Sequence, residues 1–173
     1  MTDIIYRQPQ ATDLDALCQL ARDTFTETFG DLYSAEDLHR FLDDTFGPTG
    51  LPVEFADPAY SFRVAEADGQ LIAYCKVGPP YLPSADDGRA KIELRQLYVR
   101  SPWHGSGVAA TLMHWALGIA RGRDYDDIYL SVFSDNIRAQ KFYARYGFEE
   151  VGKMIFMVGE HEDDERIWRL KIR

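Results

Sequence analysis

The stretch Leu97–Thr111 constrains the fold of this chain more than any other segment, because it joins a strand pattern to a glycine turn and a helix pattern. The run Leu97–Val99 indicates a strand, and Gly105 and Gly107 follow it after a proline. From Val108 onwards, apolar residues recur at helical spacing. Glycines let the backbone turn tightly, and the first N–H groups of a helix lack internal partners. The segment therefore predicts a strand, a turn that can hold a phosphate on backbone donors, and a helix.

Two known phosphate-binding motifs fit this turn poorly. A Walker A loop needs Lys followed by Ser or Thr after its last glycine, and Gly107 is followed by valine. The spacing of Gly105, Gly107 and Ala110 matches a dinucleotide fingerprint, but the acidic residue expected about 20 positions later would fall near Leu130, inside an apolar run. From these residues alone, a plain connection from strand to helix stays open as the alternative.

Length and composition indicate a single globular domain over residues 1–173, with 46% hydrophobic and 27% charged residues. The net charge of −9 argues against a nucleic-acid partner, and it fits either a cationic small substrate or a general role in solubility. No apolar run approaches the ~20 residues of a membrane helix, so no membrane partner is expected. Cys18 and Cys75 lie in apolar patterns, which predicts free thiols and a cytoplasmic location.

Hydrophobic periodicity and turn residues predict a mixed α/β chain with helices on both faces of a sheet, and a βαβ crossover over Arg89–Phe133. The predicted strands are 4–7, 61–66, 71–77, 89–99, 127–133, 148–158 and 166–172, and the predicted helices are 12–29, 34–46, 106–121 and 136–146. Residues 48–59 contain three prolines and are expected to form a loop. The acidic run Glu160–Glu165 is expected to be an exposed hairpin turn, a better interpretation of His161–Asp164 than a metal site.

A second motif follows the strand predicted at Asp127–Phe133. It reads Asn136-x-x-Ala139-x-x-Phe142-Tyr143-x-x-x-Gly147-Phe148. With the turn His104–Ala109, it closely resembles the GNAT superfamily of N-acetyltransferases, whose turn reads Gln/Arg-x-x-Gly-x-Gly/Ala; His104 replaces the usual Gln or Arg. The resemblance implies the α/β (α+β) GNAT fold. In that fold a central mixed, mostly antiparallel, twisted sheet of about seven strands carries helices on both faces, and a splayed strand pair holds the cofactor.

The resemblance also implies acetyl-coenzyme A as the co-substrate, without a metal. Backbone amides of the turn would hold the pyrophosphate, and the exposed main chain of the preceding strand would pair with the pantetheine arm. Asn136 either contacts the cofactor or only caps its helix. The implied cofactor-binding residues are Leu97, Tyr98, Val99, His104, Gly105, Ser106, Gly107, Val108, Ala109, Asn136 and Lys141.

Two residues are candidates for the chemistry. Tyr143 matches the family's acid tyrosine, and a phenol with a pKa of ~10 can protonate a leaving thiolate; from the residues alone, a core aromatic is the alternative. Glu93 is the candidate base, acting through water or by holding the ammonium, and a surface charge is its alternative. Alternation puts Glu93, Arg95, Leu97 and Val99 on one face of their strand unless a bulge intervenes.

The predicted function is transfer of an acetyl group from acetyl-coenzyme A to a primary amine by direct attack. A closer likeness is to bacterial spermidine/spermine acetyltransferases, which implies a polyamine acceptor. It rests on the segments Thr24–Phe29, Ser34–Leu38, Glu93–Val99 and Phe156–Gly159. A non-catalytic acyl-coenzyme A-binding regulator stays open, as does an enzyme that acetylates protein N-termini or amine-bearing drugs.

The acceptor is expected between the first two helices and the loop Gly78–Gly88. Phe29 and Tyr33 are the candidate substrate-binding residues, because aromatic rings suit a cationic amine. Carboxylates expected nearby are Asp43, Asp44, Asp86 and Asp87. A homodimer is expected from the general frequency of two-fold symmetry in oligomers.

Overall fold

The structure, a computed structural model, describes residues 3–173. The strands are β1 (Ile4–Arg7), β2 (Ser61–Ala67), β3 (Gln70–Gly78), β4 (Lys91–Val99), β5 (Asp127–Phe133), β6 (Glu149–Val158) and β7 (His161–Lys171). The helices are α1 (Leu14–Phe29), α2 (Ala35–Phe46), α3 (Leu51–Ala56), α4 (Val108–Gly122) and α5 (Ile137–Ala144). Among residues 3–173, no helix is both long and apolar enough to cross a membrane.

The strands form one seven-stranded sheet in the order β1-β2-β3-β4-β5-β7-β6. Neighbouring strands are antiparallel except β4 and β5, which run parallel. Helix α4 provides the crossover that a parallel pair requires. The predicted mixed, mostly antiparallel sheet and its βαβ unit are therefore confirmed.

Helices cover both faces of the sheet, as predicted. On one face, called the α1 face here, α1, α2 and α3 pack around Leu17, Phe46 and Tyr74, each no more than 2% exposed. On the opposite α4 face, α4 and α5 pack over a core that includes Leu112 and Ile128, both fully buried. Burial of these apolar side chains from water is the main force that holds each helix layer on the sheet.

Strands β4 and β5 separate partway along β4. Their pairing runs from Lys91 to Glu93 and ends there in the described chain. On the other side of β4, the register with β3 shifts so that Arg95 is an extra residue between Leu94 and Gln96. A bulge bends its strand and increases its twist, which directs the rest of β4 away from β5. The resulting gap is the splayed strand pair that the resemblance implied.

The same bulge corrects the expected alternation along β4. Ile92 and Leu94 pack in the α4-face core together with Leu97 and Val99. Glu93 therefore lies on the opposite, α1 face and does not share a face with Leu97 and Val99, because the bulge that the expected alternation excluded is present. Because successive side chains of a strand point to opposite faces, one inserted residue reverses the alternation beyond it.

The segment 48–59 is not a loop throughout, because it contains helix α3. Pro52 lies in the first turn of α3, where a missing N–H costs no helical hydrogen bond. Leu51 is fully buried against the α1-face core, and this burial stabilises the short helix.

The acidic run before the last strand is also not an exposed turn. Strand β6 ends at Val158 and β7 begins at His161, so the turn consists of Gly159 and Glu160. The carboxylates at 162–165 are strand residues, and Asp163 is only 3% exposed. Within residues 3–173, no group of three or more histidine, cysteine, aspartate or glutamate side chains is placed to hold a metal ion.

Replacing Arg89 with methionine is expected to lower the free energy of unfolding by about 3 kcal/mol, because it leaves a buried carboxylate without its partner. Asp127 is fully buried, and Arg89 donates to its Oδ2 from Nε over 2.6 Å and to its Oδ1 from Nη2 over 2.9 Å. Urea denaturation measures the loss. Arg40→Met is the matched control, since Arg40 pairs with an exposed Glu36 and its loss should cost less than ~1 kcal/mol. Equal losses in the two variants would contradict the prediction.

Candidate active site

A cavity of about 1110 Å³ occupies the gap between β4 and β5 and opens toward both faces of the sheet. The start of α4 and the residues of α5 line one end, and the ends of α1, α2 and α3 line the other. The main chain of Leu97–Val99 borders the gap between these two ends. Because this part of β4 has no β5 partner in the described chain, its backbone groups on that side can pair with a ligand.

The glycine turn before α4 has the geometry of an anion site. Gly107 has φ of +90°, which L side chains rarely adopt, and it caps α4. A Cβ added at Gly105 or Gly107 would meet no atom within 4 Å, so space lies open beside both residues. The first helical hydrogen bond runs from the Thr111 N–H to the Gly107 carbonyl over 3.1 Å, so the N–H groups of residues 108–110 precede it. A pyrophosphate fits these donors and the positive end of the helix dipole.

His104 connects the end of β4 to helix α5. Its Nδ1 lies 2.7 Å from Nη1 of Arg138, and its Nε2 lies 2.8 Å from the Val99 carbonyl oxygen. A guanidinium can only donate, so Nδ1 accepts and Nε2 carries the proton that it donates to Val99. His104 is exposed, yet both ring nitrogens are engaged, and the ring fixes the position of Arg138 beside the turn.

Most of the implied cofactor-binding residues line the cavity, and three do not. Those in the lining are Leu97, Tyr98, Val99, His104, Gly105, Gly107, Ala109 and Asn136. Ser106 donates to the Trp103 carbonyl instead, the Val108 side chain is fully buried, and Lys141 lies exposed on α5 outside the lining. Asn136 also caps α5 by accepting from the Ala139 N–H over 3.1 Å, which confirms the capping role, and it lines the cavity as well.

Two arginines that the sequence reasoning missed line the cavity near the turn. Arg138 and Arg145 project from the α5 region and give this end of the cavity its cations. Neither belongs to the motif that identified α5, and only their spacing on the helix relative to Tyr143 could have indicated them. Cations beside a glycine turn complement the phosphates of a nucleotide cofactor.

Tyr143 lines the cavity from α5 and is half-buried. It packs against Phe142 and Phe148, with ring centroids 5.4 and 5.9 Å away. Burial raises the pKa of Tyr143 above its ordinary value, and the nearby Cys75 and Glu165 raise it further. The phenol therefore stays protonated at neutral pH and can donate to a negative charge that develops beside it. It is both a packed aromatic and a cavity residue.

Glu93 is 5% exposed and lines the cavity on the α1 face. Its Oε2 accepts the backbone N–H groups of Tyr81 and Leu82 over 2.6 and 2.9 Å, and its Oε1 lies 3.7 Å from Nε of Arg95. The carboxylate thus fastens the loop between β3 and β4 (residues 79–90) to the sheet. One of its oxygens is committed to the backbone.

Phe29 and Tyr33 both line the opposite end of the cavity, where α1 ends and a short 3-10 turn follows. Phe29 packs edge-on to Phe133 of β5, with ring centroids 6.2 Å apart. Asp44 is the one expected nearby carboxylate that lines the cavity. The others lie outside its lining: Asp43 pairs with Arg22 and His39, Asp87 pairs with Lys91, and Asp86 is exposed.

The structure adds two carboxylates from β7 to this end of the cavity. Asp163 Oδ2 accepts from the Tyr33 hydroxyl over 2.5 Å. Its Oδ1 is buried and has no hydrogen-bond partner among the described residues, although His161 Nδ1 lies 2.9 Å away. Glu165 lines the same space, and its pKa is raised to about 7, mainly by burial. The acidic composition of 160–165 was visible in the sequence, but the pairing of Asp163 with a residue 130 positions away was not.

The two ends of the cavity carry opposite charge. The charged side chains that line the end beside the glycine turn are those of Arg138 and Arg145, and both are cations. On the α1 face, carboxylates outnumber the cations Lys76 and Arg95, and the buried Lys76 is itself paired with Glu54. The carboxylates are Asp44, Glu54, Glu93, Asp163 and Glu165. An anionic ligand fits the first end, and a cationic ligand fits the second.

Comparison with known proteins gives a family match. A model described as the acetyltransferase (GNAT) family matches residues 14–148. An uncharacterised N-acetyltransferase of Mycobacterium tuberculosis is 31% identical over 156 residues, which cover 90% of this chain and 96% of that protein. The N-alpha-acetyltransferase RimI of the same species is 28% identical over 115 residues, covering 64% of this chain and 65% of that protein.

Solved structures share the fold. The PaiA N-acetyltransferase of Thermoplasma acidophilum, solved in complex with coenzyme A, superposes with a TM-score of 0.77 at 22% identity, covering 98% of this chain and 99% of that one. A ribosomal-protein-alanine N-acetyltransferase of Brucella melitensis superposes with a TM-score of 0.70 at 23% identity, covering 97% and 99% of the two chains. At these sequence identities, both similarities show a shared fold and nothing more specific.

Proposed function

The chain belongs to the acetyltransferase (GNAT) family, with acetyl-coenzyme A as co-substrate, and we propose that it acetylates primary amines, with polyamines as preferred acceptors. The observation that carries this proposal is the gap between β4 and β5, which joins a cationic end at a glycine turn to an anionic end on the α1 face. Acetyl-coenzyme A supplies an activated acetyl group. Residues of this chain would orient that acetyl group and transfer the protons.

On the donor side, the amides at residues 105–109 and the cations Arg138 and Arg145 would bind the phosphates, with His104 holding Arg138 in place. The free main chain of Leu97–Val99 would hold the amide-bearing arm, and a backbone N–H near Tyr98 or Val99 would stabilise the oxyanion of acyl transfer. Tyr143, which borders the same gap, would donate its proton to the departing sulfur.

On the acceptor side, the charge distribution supports a cationic amine. Asp163 presents a buried carboxylate oxygen without a hydrogen-bond partner among the described residues, and the rings of Phe29 and Tyr33 lie in the same part of the cavity. A polyamine carries several ammonium groups, and Asp44 and Glu54 are further carboxylates along the cavity that would receive them. The free thiols of Cys18 and Cys75 support a reducing, cytoplasmic location.

A second acceptor class is favoured by two of the similar proteins. One relative is named an N-alpha-acetyltransferase and one similar structure a ribosomal-protein-alanine N-acetyltransferase. A peptide N-terminus is also a primary amine, so the same gap and the same tyrosine would serve it. The two acceptor classes differ in the number of carboxylates that they need on the α1 face, because a peptide N-terminus carries one ammonium group and a polyamine carries several.

The test is thiol release from acetyl-coenzyme A with a panel of acceptors: spermidine, a monoamine of similar length, and a peptide with a free N-terminal alanine. We expect the highest kcat/KM with spermidine. A higher kcat/KM with the peptide would replace the polyamine assignment by N-terminal acetylation. Saturable coenzyme binding without thiol release for any acceptor would indicate a regulator instead of an enzyme.

Asp163→Asn is expected to raise the KM for spermidine about tenfold and leave the KM for acetyl-coenzyme A unchanged, because it removes one charged acceptor from the anionic end. Asn keeps an oxygen for the Tyr33 hydroxyl. Asp164→Asn is the matched control, since Asp164 is an adjacent carboxylate that pairs with Arg166 outside the cavity lining. Equal spermidine KM values in the two variants would remove Asp163 from the acceptor site.

A further inference from the structure

Glu165 lines the cavity from β7. It is opposite Phe133 on β5 and opposite Met154 on β6. Asp163, two residues earlier on β7, lies on the same face of the strand and contacts Tyr33. Glu165 therefore borders the acceptor space on the α1 face, beside the gap that Tyr143 borders from α5.

Glu165 differs from its acidic neighbours in having no basic partner within the described chain. Asp163 contacts His161, and Asp164 pairs with Arg166 over 2.8 Å. Burial raises the pKa of Glu165 to about 7, the Ser131 hydroxyl lowers it in part, and Asp163 and Asp164 raise it further. The phenols of Tyr33, Tyr98 and Tyr143 line the same cavity, and the negative charge of Glu165 raises the pKa of each of them. A carboxyl in this position can both bind and release a proton near neutral pH.

Glu93 is less suited to accept a proton from the acceptor. Its Oε2 is held by two backbone N–H groups at 2.6 and 2.9 Å, and its Oε1 faces Arg95. These contacts fix the loop 79–90 against β4. Glu93 therefore has a structural role in holding the loop, whereas Glu165 accepts no backbone hydrogen bond of this kind and forms no ion pair within the described chain.

We propose that Glu165 is the catalytic base of this site and accepts a proton from the acceptor ammonium, a role that rests on the acetyltransferase function proposed above. Loss of this proton frees the nitrogen lone pair, the N–C bond to the acetyl carbonyl forms, and the C–S bond breaks. Tyr143 protonates the departing sulfur and recovers a proton from the nitrogen as the amide forms. The products are an acetylated amine and a free thiol, and the proton on Glu165 returns to water.

The test compares Glu165→Gln, Glu93→Gln and the control Asp164→Asn in pH profiles of kcat with spermidine. Wild-type kcat should rise with pH through a midpoint near 7. Glu165→Gln should lose that rise and fall about 100-fold below the wild type at pH 8. The difference should shrink to roughly tenfold at pH 6, where about a tenth of wild-type Glu165 is ionised. Asp164→Asn should keep the wild-type kcat at pH 8 and retain the rise, with a midpoint slightly lower because one negative charge that raises the pKa of Glu165 is removed. Glu93→Gln should also retain the rise.

A carbon NMR titration of the wild-type protein with labelled glutamate gives a readout independent of turnover. We expect one glutamate carboxyl to titrate near pH 7, and its signal to be missing from Glu165→Gln. A retained midpoint in the kcat profile of Glu165→Gln, or its loss in Glu93→Gln alone, would overturn the role of Glu165. Absence of turnover in the wild type with every acceptor would instead overturn the proposed function, so the two failures are distinguishable.

Discussion

Replacing Tyr143 with phenylalanine is expected to lower kcat for amine acetylation by about 10³-fold, because it removes the proposed proton donor for the departing sulfur. That loss corresponds to about 4 kcal/mol of transition-state stabilisation. The aromatic contacts with Phe142 and Phe148 use the ring and not the hydroxyl, so the variant should fold as the wild type does. The KM for acetyl-coenzyme A should change little, since Tyr143 acts only as the C–S bond breaks. Steady-state thiol release measures both constants.

Tyr125→Phe is the matched control for this experiment. Tyr125 also packs against the α4-face core but does not line the cavity, so loss of its hydroxyl should leave kcat unchanged. A Tyr143→Phe variant with wild-type kcat would show that the hydroxyl is not needed for turnover and that Tyr143 has only a structural role. The leaving thiolate would then have to be protonated by solvent or by another group.

Replacing Gly107 with alanine is expected to weaken coenzyme A binding about 50-fold. At φ of +90°, an L residue is strained, so the turn would relax toward another conformation and its amides would no longer converge on one anion. Hydrogen bonds to a charged group contribute about 1.5–3 kcal/mol each, and loss of one or two accounts for the effect. Isothermal titration calorimetry with coenzyme A measures it directly.

Gly118→Ala is the matched control, because both glycines have open space where a Cβ would be added. Gly118 lies within α4 and needs no positive φ, so alanine there should stabilise the helix by roughly 0.5–1 kcal/mol and leave binding unchanged. If both substitutions left the dissociation constant unchanged, the turn would not be the anion site.

The local patterns in the sequence predicted most of the fold. Apolar spacing located α1, α2, α4 and α5, and alternating or apolar runs located the strands, because these periods are set by backbone geometry over a few residues. The prolines of 48–59 predict a loop, but proline is also well tolerated in a first helical turn, and Pro52 lies in the first turn of α3. Only the burial of Leu51 against distant residues distinguishes the two cases.

The site was predicted only where it depends on contiguous residues, because long-range contacts leave no local pattern. The turn at Gly105 and Gly107 and the position of Tyr143 follow from contiguous motifs, and the structure brings them to one cavity. The face of Glu93 depends on a bulge at Arg95, which is a property of the register between two strands. The local pattern of 160–165 predicts a solvent-exposed turn, whereas Asp163 and Glu165 lie in β7. The strand pairing that places them there joins residues far apart in the chain, and a local pattern does not encode such pairing.

Amide hydrogen–deuterium exchange with and without coenzyme A tests the central claim most directly, which is the proposal that main-chain groups of Leu97–Val99 and of the turn at residues 105–109 hold the donor. We expect saturating coenzyme A to slow exchange at these two segments and to leave β1 and the start of α1 unchanged. Saturable binding with unchanged exchange at both segments would mean that the gap between β4 and β5 does not hold the donor, and the account given for this site would be contradicted.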